Sequence, residues 1–352
     1  MGDSLLGQLS ELATPQVLDQ ISRQTGIDTN LLSKGLGAAG ATTMERMATT
    51  AGNADGLSSL FDMMSNAGST EESNDPRGGV LNSFLGNEDT NPLIGNLMNS
   101  VLGGSGATSA TGITDSLMGG GLNAIGGTLS KALGFNVAPM LKMVAPVLLG
   151  LAAKAAKDGN LDATGLKAML TSQIDEFTNN PANAETAKLA TSALEAGRQG
   201  TAIRDTYTDA GWSAIKGAPL AAMAMVVAAS PSKGGDAAAE FSAAAGAIAQ
   251  AASNTEPVSL LNMAFGGGPS QEEIDAIVGR AGAANPLELV KAGVDQVSQG
   301  NPGELAAYKA LILTTAQATA EAAKEGGVLG IGGEQVSPAE QAVLDQLKTA
   351  LA

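Results

Sequence analysis

Ser213-Ala214-Ile215-Lys216 sets a hydroxyl and an amine at the S-x-x-K spacing, in which a lysine helps to activate a serine nucleophile for acyl transfer. The companion strings are lacking: no S-D-N occurs, and the nearest string to K-T-G is Lys348-Thr349-Ala350. Lys216 reads instead as a solvated residue at a helix end beside Trp212. Asp158-Gly159-Asn160-Leu161-Asp162 offers oxygens at the first, third and fifth positions of a calcium loop. Such a loop needs glycine at its sixth position and a bidentate glutamate at its twelfth, where this chain has Ala163 and Met169. The same residues are explained by a helix ending at Asp158-Gly159 and a second one capped by Asp162 or Thr164. The glycine-rich strings Gly326–Gly333 and Gly266–Gly268 lack the lysine of a phosphate loop and follow a helical pattern instead of a strand, so they read as loop punctuation.

The chain of 352 residues has no histidine and no cysteine. That excludes Ser-His-Asp and Cys-His mechanisms, zinc sites of the usual kind, and haem ligated through either residue. Paired carboxylates remain available for acid–base chemistry such as glycoside hydrolysis. They are spread along helical patterns, often at caps, where they complement the helix dipole, and a single tryptophan leaves little aromatic platform for a sugar. The reading is a protein that is not an enzyme and carries no cofactor.

The formal net charge is −16, from 19 basic and 35 acidic residues, and no basic residue occurs between Arg77 and Lys131. Nucleic-acid affinity comes largely from lysine and arginine on phosphates, so no nucleic-acid partner is expected, and anionic membrane surfaces are disfavoured alike. The start, MGDSLLGQLSELATP, lacks the basic and continuously apolar regions of a secretory signal. The most apolar runs, Met140–Ala153 (interrupted by Lys142) and Leu220–Ala229, fall short of the roughly 20 residues that a bilayer needs. No transmembrane segment and a cytoplasmic location are the expectation.

The elements that would position any site are helices. Ser270 to Glu273, Asn301 to Glu304 and Ser337 to Glu340 match the capping box, and Pro302 and Pro338 sit at the first helical position. Behind Asn285, Asn301 and Ser337 run one-face apolar stripes: Leu287, Val290, Val294 and Val297; Leu305, Tyr308, Ile312 and Ala316; Val343, Leu347 and Leu351. Asn285-Pro286 starts a further helix. Nothing in this half alternates with period two. The first half is looser: 66–92 and 103–127 are rich in Gly, Ser, Asn and Thr and read as flexible connections, with short helical turns such as Val80–Leu85 and Pro92–Leu102. The expected fold is all-α, with a helical domain over 1–178, a boundary near Asn179–Ala184, and an alanine-rich helical bundle over 185–352.

A weak internal repeat runs at an offset of about 108 residues, short of the three or more copies of a solenoid. Ile21, Gly26-Ile27, Leu32, Lys34 and Leu36 align with Leu129, Gly134-Phe135, Met140, Lys142 and Val144. Each copy reads as a short helix, a glycine cap, an apolar residue and a second helix. These turns, the glycine-rich centre, and the run Ala145-Pro146 with Leu148-Leu149-Gly150-Leu151 resemble the bacterial YidB-like family of uncharacterised proteins. The resemblance covers roughly the first 175 residues. It implies a small homeodomain-like helical fold, no established activity and no catalytic residues to transfer. The end of the chain, Gly332 to Glu340 followed by AVLDQLKTAL, is similar to the closing helix of TerB-like tellurite-resistance domains, which implies helices and an acidic metal site. Where that family has its acidic loop, this chain has Ser230-Pro231-Ser232-Lys233-Gly234-Gly235-Asp236.

Two functions remain. One is an interaction or assembly protein acting through a protein partner or as a homo-oligomer; the other is a TerB-like stress-response domain holding a metal or small ligand. For the first, Met140, Leu141, Met143, Val144, Val147, Leu148 and Leu151 wrap around much of one helix and are the candidate interaction residues. Met63, Met64, Met98, Met118, Met223 and Met225 are either adaptable surface or core filling. Val17–Leu36 has a helix-turn-helix look, but Arg23 and Lys34 face Asp19 and Asp28 in composition. Fluorescence anisotropy near physiological salt should show no binding to duplex DNA at micromolar protein, and micromolar affinity would overturn the reading.

Overall fold

The computed structural model describes residues 4–52, 56, 58–60, 114, 117–229, 236–268, 285–322 and 336–352. Among these residues every regular element is helical, and no strand occurs. The fold is all-α. Backbone contacts divide the chain into Met1–Arg198 and Gln199–Ala352.

The first unit holds α1 (Leu5–Leu12), α2 (Pro15–Thr25), α3 (Thr29–Thr50), α4 (Leu122–Leu133), α5 (Ala138–Asp158), α6 (Ala163–Asn179) and most of α7 (Ala184–Asp205). The expected boundary at Asn179–Ala184 is a 3-10 turn between α6 and α7, and the division by contacts falls later, inside α7. Of the stretches read as flexible, 66–92 lies outside the described residues, as do the turns expected at Val80–Leu85 and Pro92–Leu102. The end of 103–127 is ordered: Gly119–Gly121 form a 3-10 turn and Leu122 opens α4. Glycine is tolerated there because Gly121 lies against the backbone of Gly197, with no room for a side chain between them.

The repeat is realised in the backbone. Gly26 (φ 72°) and Gly134 (φ 79°) both end a helix in the left-handed region, and each amide N–H returns to a carbonyl four residues back, Ser22 O and Ser130 O. The second helices of the two modules, α3 and α5, pack together, with α1 and α6 against α3. Leu32, Met44, Met47, Leu141, Val144 and Leu148 form the centre of this core.

The second unit holds α8 (Asp209–Ala229), α9 (Asp236–Ser253), α10 (Leu260–Phe265), α11 (Pro286–Gly300), α12 (Leu305–Ala322) and α13 (Pro338–Leu351). α8 packs on α11 and α12, and α9 on α12. The box at Ser337 forms as read: its hydroxyl accepts from Glu340 N–H while the Glu340 carboxylate accepts from Ser337 N–H at 2.7 Å. Asn285 caps α11 at Leu287 N. The box at Asn301 does not form. Glu304 instead accepts from the amides of Leu260 (2.8 Å) and Leu261, capping α10, and from Asn301 Nδ2 (3.0 Å). Four orphan donors at a helix start attract a carboxylate from elsewhere as readily as from the local chain. The box at Ser270 lies outside the described residues.

α5 and α8 are each 21 residues, longer than the apolar runs they contain, and are long and apolar enough to cross a membrane. In the most apolar window of each, 61% and 50% of the residues are buried. Each also carries an internal proline, Pro146 and Pro219. A proline in a helix leaves the carbonyl four residues earlier without its amide partner. For Pro146 that carbonyl is Lys142 O, which accepts the hydroxyl of buried Thr114 at 3.2 Å. For Pro219 it is Ile215 O, which accepts the hydroxyl of Tyr308 at 2.7 Å. Tyr308 is fully buried, and its phenol is held well above its ordinary pKa, first by burial and then by the neighbouring Tyr207. Gly293 makes room for it: a Cβ there would lie 2.6 Å from the phenol oxygen.

Tyr308→Phe strands a buried carbonyl and should cost about 1–3 kcal/mol in denaturant unfolding. The same substitution beside Pro219→Ala, which restores the helical amide, should cost clearly less. Equal costs in both backgrounds would show that the tyrosine does not serve the proline-freed carbonyl.

Candidate functional site

In the first unit α1, α2, α3 and α5 leave an apolar cleft open to solvent, with roughly 530 Å³ of space. Thr14 caps α2 through Val17 N, with Pro15 at the first helical position, and Asp28 caps α3 through Asn30 N. These caps fix the two turns on either side of the cleft. α1 is tied down at its start, where Leu5 N–H donates to Gln173 Oε1 of α6 at 2.8 Å.

The walls are Leu9 and Ala13, then Val17, Leu18 and Ile21 of α2, Leu32 and Leu36 of α3, and Met140, Met143, Val144 and Val147 of α5. Leu32 and Met140 are repeat-equivalent, as are Leu36 and Val144, so the cleft lies where the two modules meet. No titratable or hydrogen-bonding side chain lines it, and the wall can offer only dispersion and apolar burial. Leu18 is half-buried, and Leu31, next to Leu32, is the one large hydrophobic side chain left exposed among the described residues.

All seven candidate interaction residues are buried within their own unit. Met140, Met143, Val144 and Val147 border the cleft, while Leu141, Leu148 and Leu151 belong to the core and do not line it. The α1, α2 and α3 walls were missed because this stretch was read only as a short helix, a glycine cap and a second helix, with no apolar face assigned. Val17, Leu18 and Ile21 in one short helix were the available signal. Met118 and Met223 are core, Met225 is half-buried, and Met63, Met64 and Met98 lie outside the described residues.

The sequence motifs resolve simply. Asp158 ends α5, and the Asp162 carboxylate caps α6 by accepting from Gly165 N at 2.8 Å. Ser213 and Lys216 both lie inside α8, so Lys216 is in mid-helix and not at a helix end. Beside Trp212, Arg204 stacks its guanidinium 5.3 Å from the ring centroid, donates to Tyr207 O and pairs with Asp209, closing the turn into α8. Gly326–Gly333 lies outside the described residues. Among the described residues no three acidic side chains gather as metal ligands would.

A second, smaller pocket lies between α1, α3, α6 and α7, lined by Leu6, Ala41, Met44, Ile174, Phe177, Thr178, Ala187, Ala190 and Glu45. Glu45 was not singled out by sequence, where it is one glutamate in a helix of small residues. Its carboxylate is half-buried and has no hydrogen bond or ion pair with a described residue. Burial raises its pKa.

Residues 7–155 match the family model described as "Bacterial protein of unknown function (DUF937)". This is the YidB-like family that the N-terminal motifs resemble. The matched stretch contains every residue of the apolar cleft and also Glu45. No curated protein and no solved structure matches the chain.

Because the folded pKa of Glu45 is raised, its contribution is most favourable at low pH and is lost as pH rises through the folded value, upward from the ordinary 4.5. Glu45→Gln should therefore raise the melting temperature at neutral pH and flatten this part of the pH profile. The gain should be about a few tenths of a kcal/mol, since the group is partly solvated. A variant less stable than wild type at pH 7 would refute the unfavourable burial.

Proposed function

We propose that this chain is a non-enzymatic, cytoplasmic interaction or assembly protein whose N-terminal unit works by taking apolar side chains of a protein partner or a second copy into the cleft between its two helical modules. The observation that carries the reading is the open, wholly apolar cleft itself. Core packing normally closes such space, and an open apolar surface loses contacts that a partner's side chains can supply. The lack of histidine and cysteine and the absence of any titratable group on the wall favour contact over catalysis. The acidic balance argues against a nucleic-acid partner. For a metal- or ligand-holding role of the C-terminal unit, the TerB-like alternative, the described residues offer no specific observation.

Sedimentation of the full chain over a range of concentrations, with capture from the native host, tests the proposal. Wild type should self-associate or retain a partner. Leu18→Lys, at a half-buried wall position, should keep wild-type helicity and lose assembly. Leu148→Asp, in the core, should unfold the unit instead. A wild type that stays monomeric at high concentration and captures nothing would sink the proposal.

A further inference from the structure

We infer that the segment taken into the apolar cleft is a short amphipathic α-helix of another protein, seated by a stripe of aliphatic side chains. The inference rests on the reading of the cleft as an interaction site, and adds which kind of segment it fits.

The chemistry of the wall decides between kinds of segment. All eleven lining residues are aliphatic or methionine, and almost no polar atom of side chain or backbone is exposed among them. Ten of them lie inside helices, and Ala13 N–H closes α1 on Leu9 O. A segment that enters finds no donor or acceptor for its own backbone, and a backbone group left unpaired away from water is costly. An extended segment would bring several such groups. An α-helix satisfies them internally and presents only side chains. The other recurring modes of peptide recognition fail on the same wall. Strand addition needs an open sheet edge, and no strand occurs among the described residues. Polyproline segments dock in aromatic grooves, and no aromatic ring lines this one. Acidic or phosphorylated motifs need arginine, and the wall carries no charge. A helix in a groove remains, anchored by apolar residues at i, i+3 or i+4, and i+7. Met140 and Met143 suit that use, because an unbranched thioether adapts to the side chain it meets.

The extent of the wall decides between a segment and a folded second copy. A stable interface uses about 20–30 residues a side. This wall has eleven, several of them fully buried, such as Leu32 and Val144. A second copy would need further apolar surface, and Leu31 is the one large hydrophobic side chain left exposed among the described residues. A short helix needs only the cleft, whose roughly 530 Å³, solvent side included, falls within the range of about 300–1,000 Å³ of concave ligand sites.

Panning the full chain against displayed random peptides of about 16 residues, roughly four helical turns, tests the inference. Recovered peptides should share aliphatic residues at i, i+3 or i+4, and i+7. A proline placed in mid-sequence should weaken their binding by about tenfold or more, read by fluorescence anisotropy of the labelled peptide. Leu18→Lys and the milder Leu18→Gln, each with wild-type helicity by circular dichroism, should weaken it by about tenfold or more as well. Recovery of no peptide, recovered peptides without the helical spacing, or binding that tolerates the proline or both Leu18 variants would overturn the inference. Self-association of the full chain that both Leu18 variants abolish would assign the cleft to a second copy; it would overturn the helix and leave the interaction reading standing.

Discussion

Each unit depends on one long apolar helix that contains a proline, and so on a hydroxyl that arrives from a distant part of the sequence. Pro146 and Pro219 free the carbonyls of Lys142 and Ile215 within their helices, the first at a part-buried place and the second at a buried one, and each needs another donor. Thr114 and Tyr308 donate to those two atoms, 28 and 93 residues away along the chain. The requirement is directional: an apolar contact tolerates sliding, whereas a single O–H···O bond sets both register and rotation of one helix against another. This explains why a chain with so little aromatic content keeps one of its two tyrosines fully buried at that point. Small side chains elsewhere bring helices close enough for the bond to be made, and Gly293 beside the phenol oxygen is the clearest instance.

Much of the helical framework was legible because capping chemistry is local. Gly26 and Gly134 end helices, Asp162, Asn285 and Ser337 begin them, and the repeat at 108 residues predicts both modules. What was not legible is nonlocal. The side chain of Glu304 satisfies α10 instead of completing its own box, since the pattern records who stands three residues away and not which amides are nearest in space. The apolar runs in α5 and α8 were read as shorter than the helices that carry them, because charges and small residues at the ends hide helix continuity from a hydropathy count. The glycines at 119–121 read as loose chain, and are compatible with a turn and a helix start because their packing partner is itself a glycine.

The site shows the same split. Four of the seven residues chosen on α5 do border the cleft, and three do not. A helix apolar on most sides announces burial, yet its sequence cannot assign each face to core or cleft, since that depends on where α2 and α3 end their approach. Glu45 is the opposite case: its surroundings come from four helices far apart in sequence, so no local pattern marks it.

The repeat suggests why the cleft exists at all. When two similar helix–turn–helix modules pack through their second helices, equivalent side chains come to the same junction, and Leu32 and Met140, like Leu36 and Val144, line one cleft there. Equivalent residues of similar size meet poorly as ridge and groove, because interdigitation needs large opposite small. Methionine in one copy and leucine in the other partly relieves the mismatch, since the unbranched thioether adapts to irregular gaps. The remaining space is opened toward solvent by the short α1 and α2, which cover α3 and α5 incompletely. An apolar opening at a module junction thus follows from near-symmetry in the sequence, and it faces outward without any group that could hold a charge. Such a surface selects by shape and apolar area, and the net charge of −16 acts on a partner separately, through long-range attraction or repulsion.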